Sequence, residues 1–280
     1  MPELPEVETI VRELARTLPG QRILQAKVFR PDVLREPPHI FCRAVAGAEI
    51  QSVNRRGKNI VLSLSPSRIL VVNLGMTGRL LHLPPSHQVA PYPHRAVDFL
   101  LHSGGALLYT DSRRFGRAAL FSEEEWERES ERLGPEPLSP DLTVQAFHRR
   151  LTRSRAPVRS WLLDQTHLAG IGNIYACEAL HRAGIHPLRK ASSLALSQSG
   201  RLLRALRDVL TEALEARGTS LRDYRTATGE EGGFLTSLRV YGREGRPCVR
   251  CTTSIARIVL SNRSAFFCPR CQPETSSWRP

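Results

Sequence analysis

CVRCTTSIARIVLSNRSAFFCPRC, residues 248–271, holds two Cys-x-x-Cys pairs with sixteen residues between them. Each pair is short enough for a tight knuckle, and together they supply four thiolates for a tetrahedral Zn²⁺. Because Cys248, Cys251, Cys268 and Cys271 take all four positions, no coordination site stays open and the ion is expected to be structural. Its binding supplies on the order of 10 kcal/mol to fold a segment too small for its own core. From Ser237 to Gln272 there are seven arginines and one acid, Glu244. Four thiolates and one Zn²⁺ subtract two charges, which leaves about +4, a charge that suits a nucleic-acid backbone. A solvated basic face on a structural knuckle is the plainer alternative. Cys42 and Cys177 stand alone in apolar surroundings and read as packing residues.

Upstream of this module the pattern is helical, over 143–151, 157–166, 173–184 and about 197–217. The last stretch places Leu202, Leu203, Leu206, Val209, Leu210, Ala213 and Leu214 on one face and stops at Gly218. Residues 218–234, GTSLRDYRTATGEEGGF, are polar, Gly-rich and aperiodic, and so form either a disordered or a functional loop. In QTHLAGIGNIYACEAL, Gly170 and Gly172 precede Asn173 at a helix start. Free N–H groups there favour a phosphate, and Asn173 can cap the helix or donate to a phosphate oxygen. Alone this is a tight turn. Between two helices of a basic domain it reads as a helix–two-turn–helix DNA clamp.

Further upstream, the acidic SEEEWERESERL gives way to GPEPLSPD, whose prolines mark a linker. Ahead of it lie ILQAKVF, NIVLSLS, ILVVNL, AVDFLL, ALLYT and RAALF, short apolar or alternating runs that predict an antiparallel two-layer sandwich. Residues 3–18 read as an amphipathic helix with Val7, Ile10, Val11, Leu14 and Leu18 on one face and Pro5 in its first turn. The expected fold is α+β and multidomain. An N-terminal helix and antiparallel β-sandwich occupy 1–134, a linker 135–141, a helical DNA-binding domain 142–236, a zinc-finger β-hairpin 237–272 and a tail 273–280.

The formal net charge of +13 and the pI near 10.3 favour a polyanionic partner, and nucleic acid is the usual one. With 41% hydrophobic and 24% charged residues the chain is globular. No run approaches the roughly 18 apolar residues of a membrane helix, and MPELPEVET has no apolar signal core, so a cytoplasmic protein is expected. Of the 40 basic residues only Lys27, Lys58 and Lys190 are lysines. Arginine cannot release a proton near neutral pH and lysine can, which marks each retained lysine as a candidate for proton chemistry.

MPELPEVE, DSRRFG, GIGNIYACEAL, VYGREGRPC and the paired cysteines with Arg263, in this order over essentially the whole chain, resemble the formamidopyrimidine-DNA glycosylases. On its own PELPE is only an acidic, Pro-containing helix start. The resemblance implies a monomeric bacterial base-excision enzyme, held near the nucleoid by its DNA, that removes 8-oxoguanine and formamidopyrimidines from duplex DNA and then cleaves the strand. It implies one structural Zn²⁺ per chain. It also implies that Met1 is removed and that the amine of Pro2 attacks the sugar C1′, expels the base and forms a Schiff base, with β- and δ-elimination following. An α-amine with a pKa of roughly 7.7–8.0 is partly unprotonated at neutral pH.

In the same reading Glu3 is the general acid/base, and Glu6 helps hold the active-site start of the helix. Lys58 contacts the phosphate at the lesion and donates a proton during β-elimination. Arg263 holds phosphate in the δ step, where its high pKa favours electrostatic stabilisation over proton donation. Met76, Arg113 and Phe115 fill the gap left by the flipped nucleotide, with Arg113 on the orphaned cytosine and Phe115 wedged into the stack. His94, Arg155, Arg159 and Asn173 are implied DNA contacts, and 218–234 is the lid over the flipped base. Departures from the family pattern are Arg159 and Arg222 where some members have Lys, Ala96 where a second His is expected, and Asn73 where relatives carry His. Competing readings are an endonuclease VIII-type enzyme for oxidised pyrimidines, a non-catalytic zinc-finger DNA-binding protein and an RNA- or ribosome-associated protein. MPELPEVE, the Arg113–Phe115 segment and the long lid disfavour the first, and the third gives PELPE no purpose.

Overall fold

In a computed structural model, residues 2–85 and 92–274 are described; Met1, whose removal is expected, and residues 275–280 of the tail lie outside the described residues. The chain divides into two compact units, Met1–Arg132 with Ala213–Leu235, and Leu133–Glu212 with Thr236–Pro280. Residues 213–235, grouped by sequence with the helical domain, therefore pack within the first unit.

The first unit opens with α1 (Leu4–Leu14), where Glu3 and Glu6 form a capping box and Pro5 sits in the first turn. Leu4, Val7, Ile10, Val11 and Leu14 are buried, as the helical period demands. The helix ends four residues earlier than the apolar pattern, which continues through turns to the buried Leu18. Then follow β1 (Ile23–Val28), α2 (Pro38–Val45), β2 (Ile50–Arg56), β3 (Asn59–Leu64), β4 (Arg68–Asn73), β5 (Gly78–Leu83), β6 (Arg95–Leu101), β7 (Ala106–Asp111), β8 (Arg117–Phe121) and α3 (Glu123–Glu131).

The strands form two antiparallel four-stranded sheets, β1-β6-β7-β5 and β2-β3-β4-β8. Ile60, Leu62, Leu70 and Val72 face the core shared with α1, while Val61, Ile69 and Val71 on the opposite face are covered by Phe121 and Trp126. Burial on both faces explains why NIVLSLS and ILVVNL read as near-continuous apolar runs.

Topology fixes where the loops gather. Asn73 at the end of β4 pairs with Arg117 at the start of β8, and Gly78 at the start of β5 pairs with Asp111 at the end of β7. The connections β4–β5 and β7–β8 therefore both cross from one sheet to the other at the same end of the sandwich, side by side. Asn59, at the β2–β3 turn, also pairs with Asn73, so three loops share that end.

The second unit contains α4 (Val144–Thr152), α5 (Val158–Leu163), α6 (Asn173–Ala183), α7 (Leu196–Glu215), β9 (Ala256–Leu260) and β10 (Arg263–Phe267), with the last turn of α7 counted in the first unit. Trp161 is buried, stacked on His167 at 4.9 Å and edge-on to Phe147 at 5.6 Å. The 135–141 segment is pinned: Arg207 of α7 donates to the carbonyls of Pro137, Ser139 and Leu142 at 2.8–2.9 Å. No helix among the described residues is long and apolar enough to cross a membrane.

Candidate active site and nucleic-acid interface

Pro2, Glu3 and Glu6 are all buried at the start of α1. One oxygen of the Glu6 carboxylate accepts the Glu3 N–H at 2.8 Å, and the other accepts the Thr219 N–H at 2.8 Å. A single buried carboxylate thus holds both the peptide beside Pro2 and the first turn of the 218–234 loop. Gly218 has a φ of +87°, and a Cβ there would come within 3.0 Å of Glu6 Oε1, so two constraints favour glycine. The loop itself is ordered. Tyr224 and Ala227 join the sandwich core, the Ala227 carbonyl accepts the His82 N–H at 3.0 Å, and Arg79 donates to the Asp223 carbonyl at 2.7 Å. Burial, with the charge of Glu6 nearby, raises the Tyr224 pKa, so the phenol stays a neutral donor to the Arg217 carbonyl at 3.1 Å.

At the neck of this loop Arg217 pairs with Glu13 of α1 at 2.5 Å and with Glu230, while Glu13 also accepts the Thr228 N–H at 3.3 Å. Arg217 adopts a φ of +60°, a left-handed conformation that costs a side-chain-bearing residue energy.

Lys58 lies half-buried in the tight turn joining β2 to β3. The neighbouring Arg55 donates to the Gly57 carbonyl at 2.9 Å and to Glu8 of α1 at 2.8 Å, tying the Lys58 turn to the helix that carries Glu3. Burial alone would raise the Glu8 carboxyl, but hydrogen bonds and charge from Arg55 and Arg12 hold it below its ordinary value.

The crossover loops carry Met76, Arg113 and Phe115. Met76 is 37% and Phe115 56% exposed, and the Arg113 guanidinium stacks over the Phe115 ring at 4.6 Å. Their backbone is fixed by Asp111, which is 2% exposed. Its Oδ1 accepts the Thr77 hydroxyl at 2.5 Å and the Arg113 N–H at 3.2 Å, and its Oδ2 accepts the Gly116 N–H at 2.8 Å. A Cβ on Gly75 would meet the Gly116 nitrogen at 2.5 Å, so the two loops touch through bare backbone. His94, exposed and with a φ of +59°, accepts the Asp111 N–H at 3.0 Å through its carbonyl, which places it beside the same cluster. Asn73 accepts the Gly75 N–H and donates to Asn59, a bracing role within the loop end. Ala96 is fully buried in the sandwich core. Arg222 is exposed on the 218–234 loop.

In the second unit, Gly172 caps α6 and Asn173 is its first residue. Arg159 is fully buried; it donates to Asn173 Oδ1 at 2.7 and 3.2 Å and to the carbonyls of Leu260 and Ser264 at 3.3 Å. Asn173 in turn donates to the Ser264 carbonyl at 2.9 Å. These two residues fasten the β9–β10 hairpin to the start of α6, a role their sequence context did not reveal. Ser261 and Asn262, both with positive φ, make the hairpin turn, and Arg263 follows, exposed. Arg155 is exposed between α4 and α5.

The four cysteine sulfurs lie within 4.8 Å of one another, with separations of 3.4, 3.4 and 3.9 Å among three of the pairs. A zinc tetrahedron with Zn–S of about 2.3 Å has edges of about 3.8 Å, so the residues fit that ion. Backbone N–H groups of Arg250 and Cys271 point to Cys248 and Cys268 Sγ at 3.4 Å, and hydrogen bonds from Thr253 bring the Cys251 thiol down to about 6. The module is anchored by Glu178, a fully buried acid on α6 that accepts the N–H groups of Arg239, Val240 and Tyr241 at 2.9–3.0 Å.

Comparison with known proteins matches three successive parts of the chain. The formamidopyrimidine-DNA glycosylase N-terminal domain matches residues 1–118, the H2TH domain of that enzyme 133–225, and the zinc finger found in FPG and IleRS 245–273. The chain belongs to the formamidopyrimidine-DNA glycosylase family. The formamidopyrimidine-DNA glycosylase of Thermomicrobium roseum is 46% identical, over 98% of this chain and 99% of its own. The solved MutM (Fpg) protein of Thermus thermophilus superposes with a TM-score of 0.88 at 41% identity, over 98% of this chain and 100% of that one. Lactococcus lactis Fpg in complex with abasic-site DNA gives 0.90 at 31% identity, over 97% and 100%. The chain is thus a base-excision DNA glycosylase of this family with one structural zinc site. Two organising acids, Asp111 and Glu178, were not singled out from sequence. Their signals were an acid at a strand end ahead of an Arg-rich loop and an acid inside an apolar helix.

Proposed function

We infer that this chain excises oxidised purines, 8-oxoguanine and formamidopyrimidines, from duplex DNA and cleaves the resulting abasic strand, working as a cytoplasmic monomer. The observation that supports this best is the Met76, Arg113 and Phe115 cluster: two exposed apolar side chains and a cation on crossover loops that Asp111 makes rigid. An extruded nucleotide leaves a hole with an apolar wall above and below and an unpaired base opposite, and such a cluster fills it.

Once Met1 is removed, the Pro2 nitrogen attacks C1′ of the extruded nucleotide and the base departs with the glycosidic electron pair. Glu3 protonates the ring oxygen as the sugar opens, giving an iminium on Pro2. Loss of the C2′ proton expels the 3′ phosphate, to which Lys58 delivers a proton; a second elimination expels the 5′ phosphate, whose charge Arg263 stabilises. Water then releases Pro2. Glu6 fixes the Glu3 peptide against the loop that covers the extruded base. His94, Arg155 and Asn173 contact the backbone, whereas Arg159 acts mainly by holding the hairpin. The zinc, held by Cys248, Cys251, Cys268 and Cys271, gives that hairpin its shape.

Duplexes carrying either 8-oxoguanine opposite cytosine or thymine glycol opposite adenine separate this reading from the oxidised-pyrimidine alternative. Faster release of 8-oxoguanine is expected; preference for thymine glycol would overturn the purine assignment.

A further inference from the structure

The last turn of α6 grips the zinc knuckle from both sides of a peptide. Arg250, between Cys248 and Cys251, donates to the carbonyls of His181 and Arg182 at 3.1 Å. In the other direction, His181 Nε2 lies 3.5 Å from Cys248 Sγ. The His181 side chain is fully buried, and its second nitrogen, Nδ1, has no hydrogen-bond partner among the described residues. A buried imidazole N–H without an acceptor is costly. The proton therefore belongs on Nε2, which has the sulfur as its acceptor, and Nδ1 is left bare.

We propose that His181 is a positioning residue of the zinc site, donating its Nε2–H to the Cys248 thiolate from outside the coordination shell. Cys248 is 2% exposed and Cys251 and Cys271 are half-buried. Water can solvate the negative charge on the two accessible sulfurs. At Cys248 the protein must do so, and it supplies the Arg250 N–H and the His181 N–H. Donors of this kind hold the thiolate in place and spread its charge, and losing one typically weakens metal binding about 10–100-fold. The same donor links the metal to α6, whose Glu178 and Asn173 hold the residues on either side of the knuckle. The module is therefore mounted on α6 through its metal as well as through its backbone.

The inference rests on the structural-zinc reading, and the two are tested separately. Metal analysis of the purified full chain comes first: absence of bound zinc would overturn both. In the zinc-bound wild-type protein, long-range ¹H–¹⁵N correlation of labelled histidines reads the His181 tautomer without any substitution. A protonated Nε2 is expected; a bare Nε2 with the proton on Nδ1 would overturn this inference and leave the zinc assignment standing. In chelator competition, His181→Phe, which keeps a ring but no donor, should bind zinc about 10-fold or more weakly, and His181→Gln, which restores an N–H, should recover part of the loss. Wild-type zinc affinity in the Phe variant, or equal loss in both variants, would also refute it.

Discussion

Replacing Asp111 with alanine tests whether the gap-filling cluster is built by that one buried carboxylate. The substitution removes three acceptor contacts, from Thr77, Arg113 and Gly116. The Thr77 hydroxyl and the Arg113 N–H lie near solvent and recover water, so their loss costs about 1 kcal/mol together. The Gly116 N–H is buried, and leaving it unpaired costs about 1–3 kcal/mol. The total of about 3 kcal/mol lowers the melting temperature of the first unit by roughly 6–12 °C, measured by calorimetry. Asp111→Asn keeps a carbonyl for Gly116 while the Thr77 hydroxyl turns to accept from the amide, so it costs about 1 kcal/mol. Below the transition, kcat/KM for 8-oxoguanine duplexes should fall about tenfold or more in the alanine variant, equivalent to about 1.4 kcal/mol of transition-state stabilisation. Cleavage at a preformed abasic site, where no base has to be extruded, should change far less. Wild-type melting, or a parallel fall in both activities, would show that Asp111 does not build the gap-filling cluster.

Arg217→Gly relieves the left-handed strain and deletes the ion pairs to Glu13 and Glu230, which at such exposure are worth about 0–1 kcal/mol each, so stability should stay near wild type. If those pairs hold the 218–234 loop over the base, 8-oxoguanine release falls several-fold while abasic-site cleavage is spared; unchanged release would show the clasp to be idle. Glu8→Gln probes the pH dependence. A carboxyl held below its ordinary 4.5 contributes stability that is present above that pH and lost as pH falls through the folded value. The variant should therefore have a lower urea midpoint than wild type at pH 7, with the gap closing as the pH falls below the folded value; a gap that persists once the carboxyl is protonated would contradict the Arg55 and Arg12 pairing. Chelation of zinc should abolish tight DNA binding in a gel-shift assay while the first unit keeps its calorimetric transition, since all four ligands lie in the second.

Much of the architecture was legible because it rests on local period and spacing. The two Cys-x-x-Cys pairs, the helical faces of α1 and α7 and the doubly buried runs of β3 and β4 each carry their own signal. Strands β2 and β5 do not: IQSVNRR is largely polar, and in GRLLHL the apolar run is interrupted by His82 and preceded by Gly78 and Arg79. Helix α2, eight residues long and starting within the Pro37-Pro38 step, is too short for its period to show. The 218–234 loop looked either disordered or functional because its order comes from residues far away in the chain, Glu6, Glu13, Arg79 and His82. The resemblance implies a DNA contact at Arg159, and nothing local in the sequence shows that it is fully buried against Asn173 and the hairpin carbonyls. Asp111 and Glu178 act as organisers because three donors from separate positions converge on each, which only the folded chain shows.

We propose the Pro2 amine as the nucleophile. Borohydride reduction during reaction with an 8-oxoguanine duplex, followed by proteolysis and mass spectrometry of the crosslinked peptide, tests it directly. A covalent adduct is expected on a peptide that begins at Pro2 with Met1 absent, and no adduct when a tag precedes Pro2. An adduct on a lysine side chain, Lys58 above all, or efficient trapping by the tagged protein would contradict it.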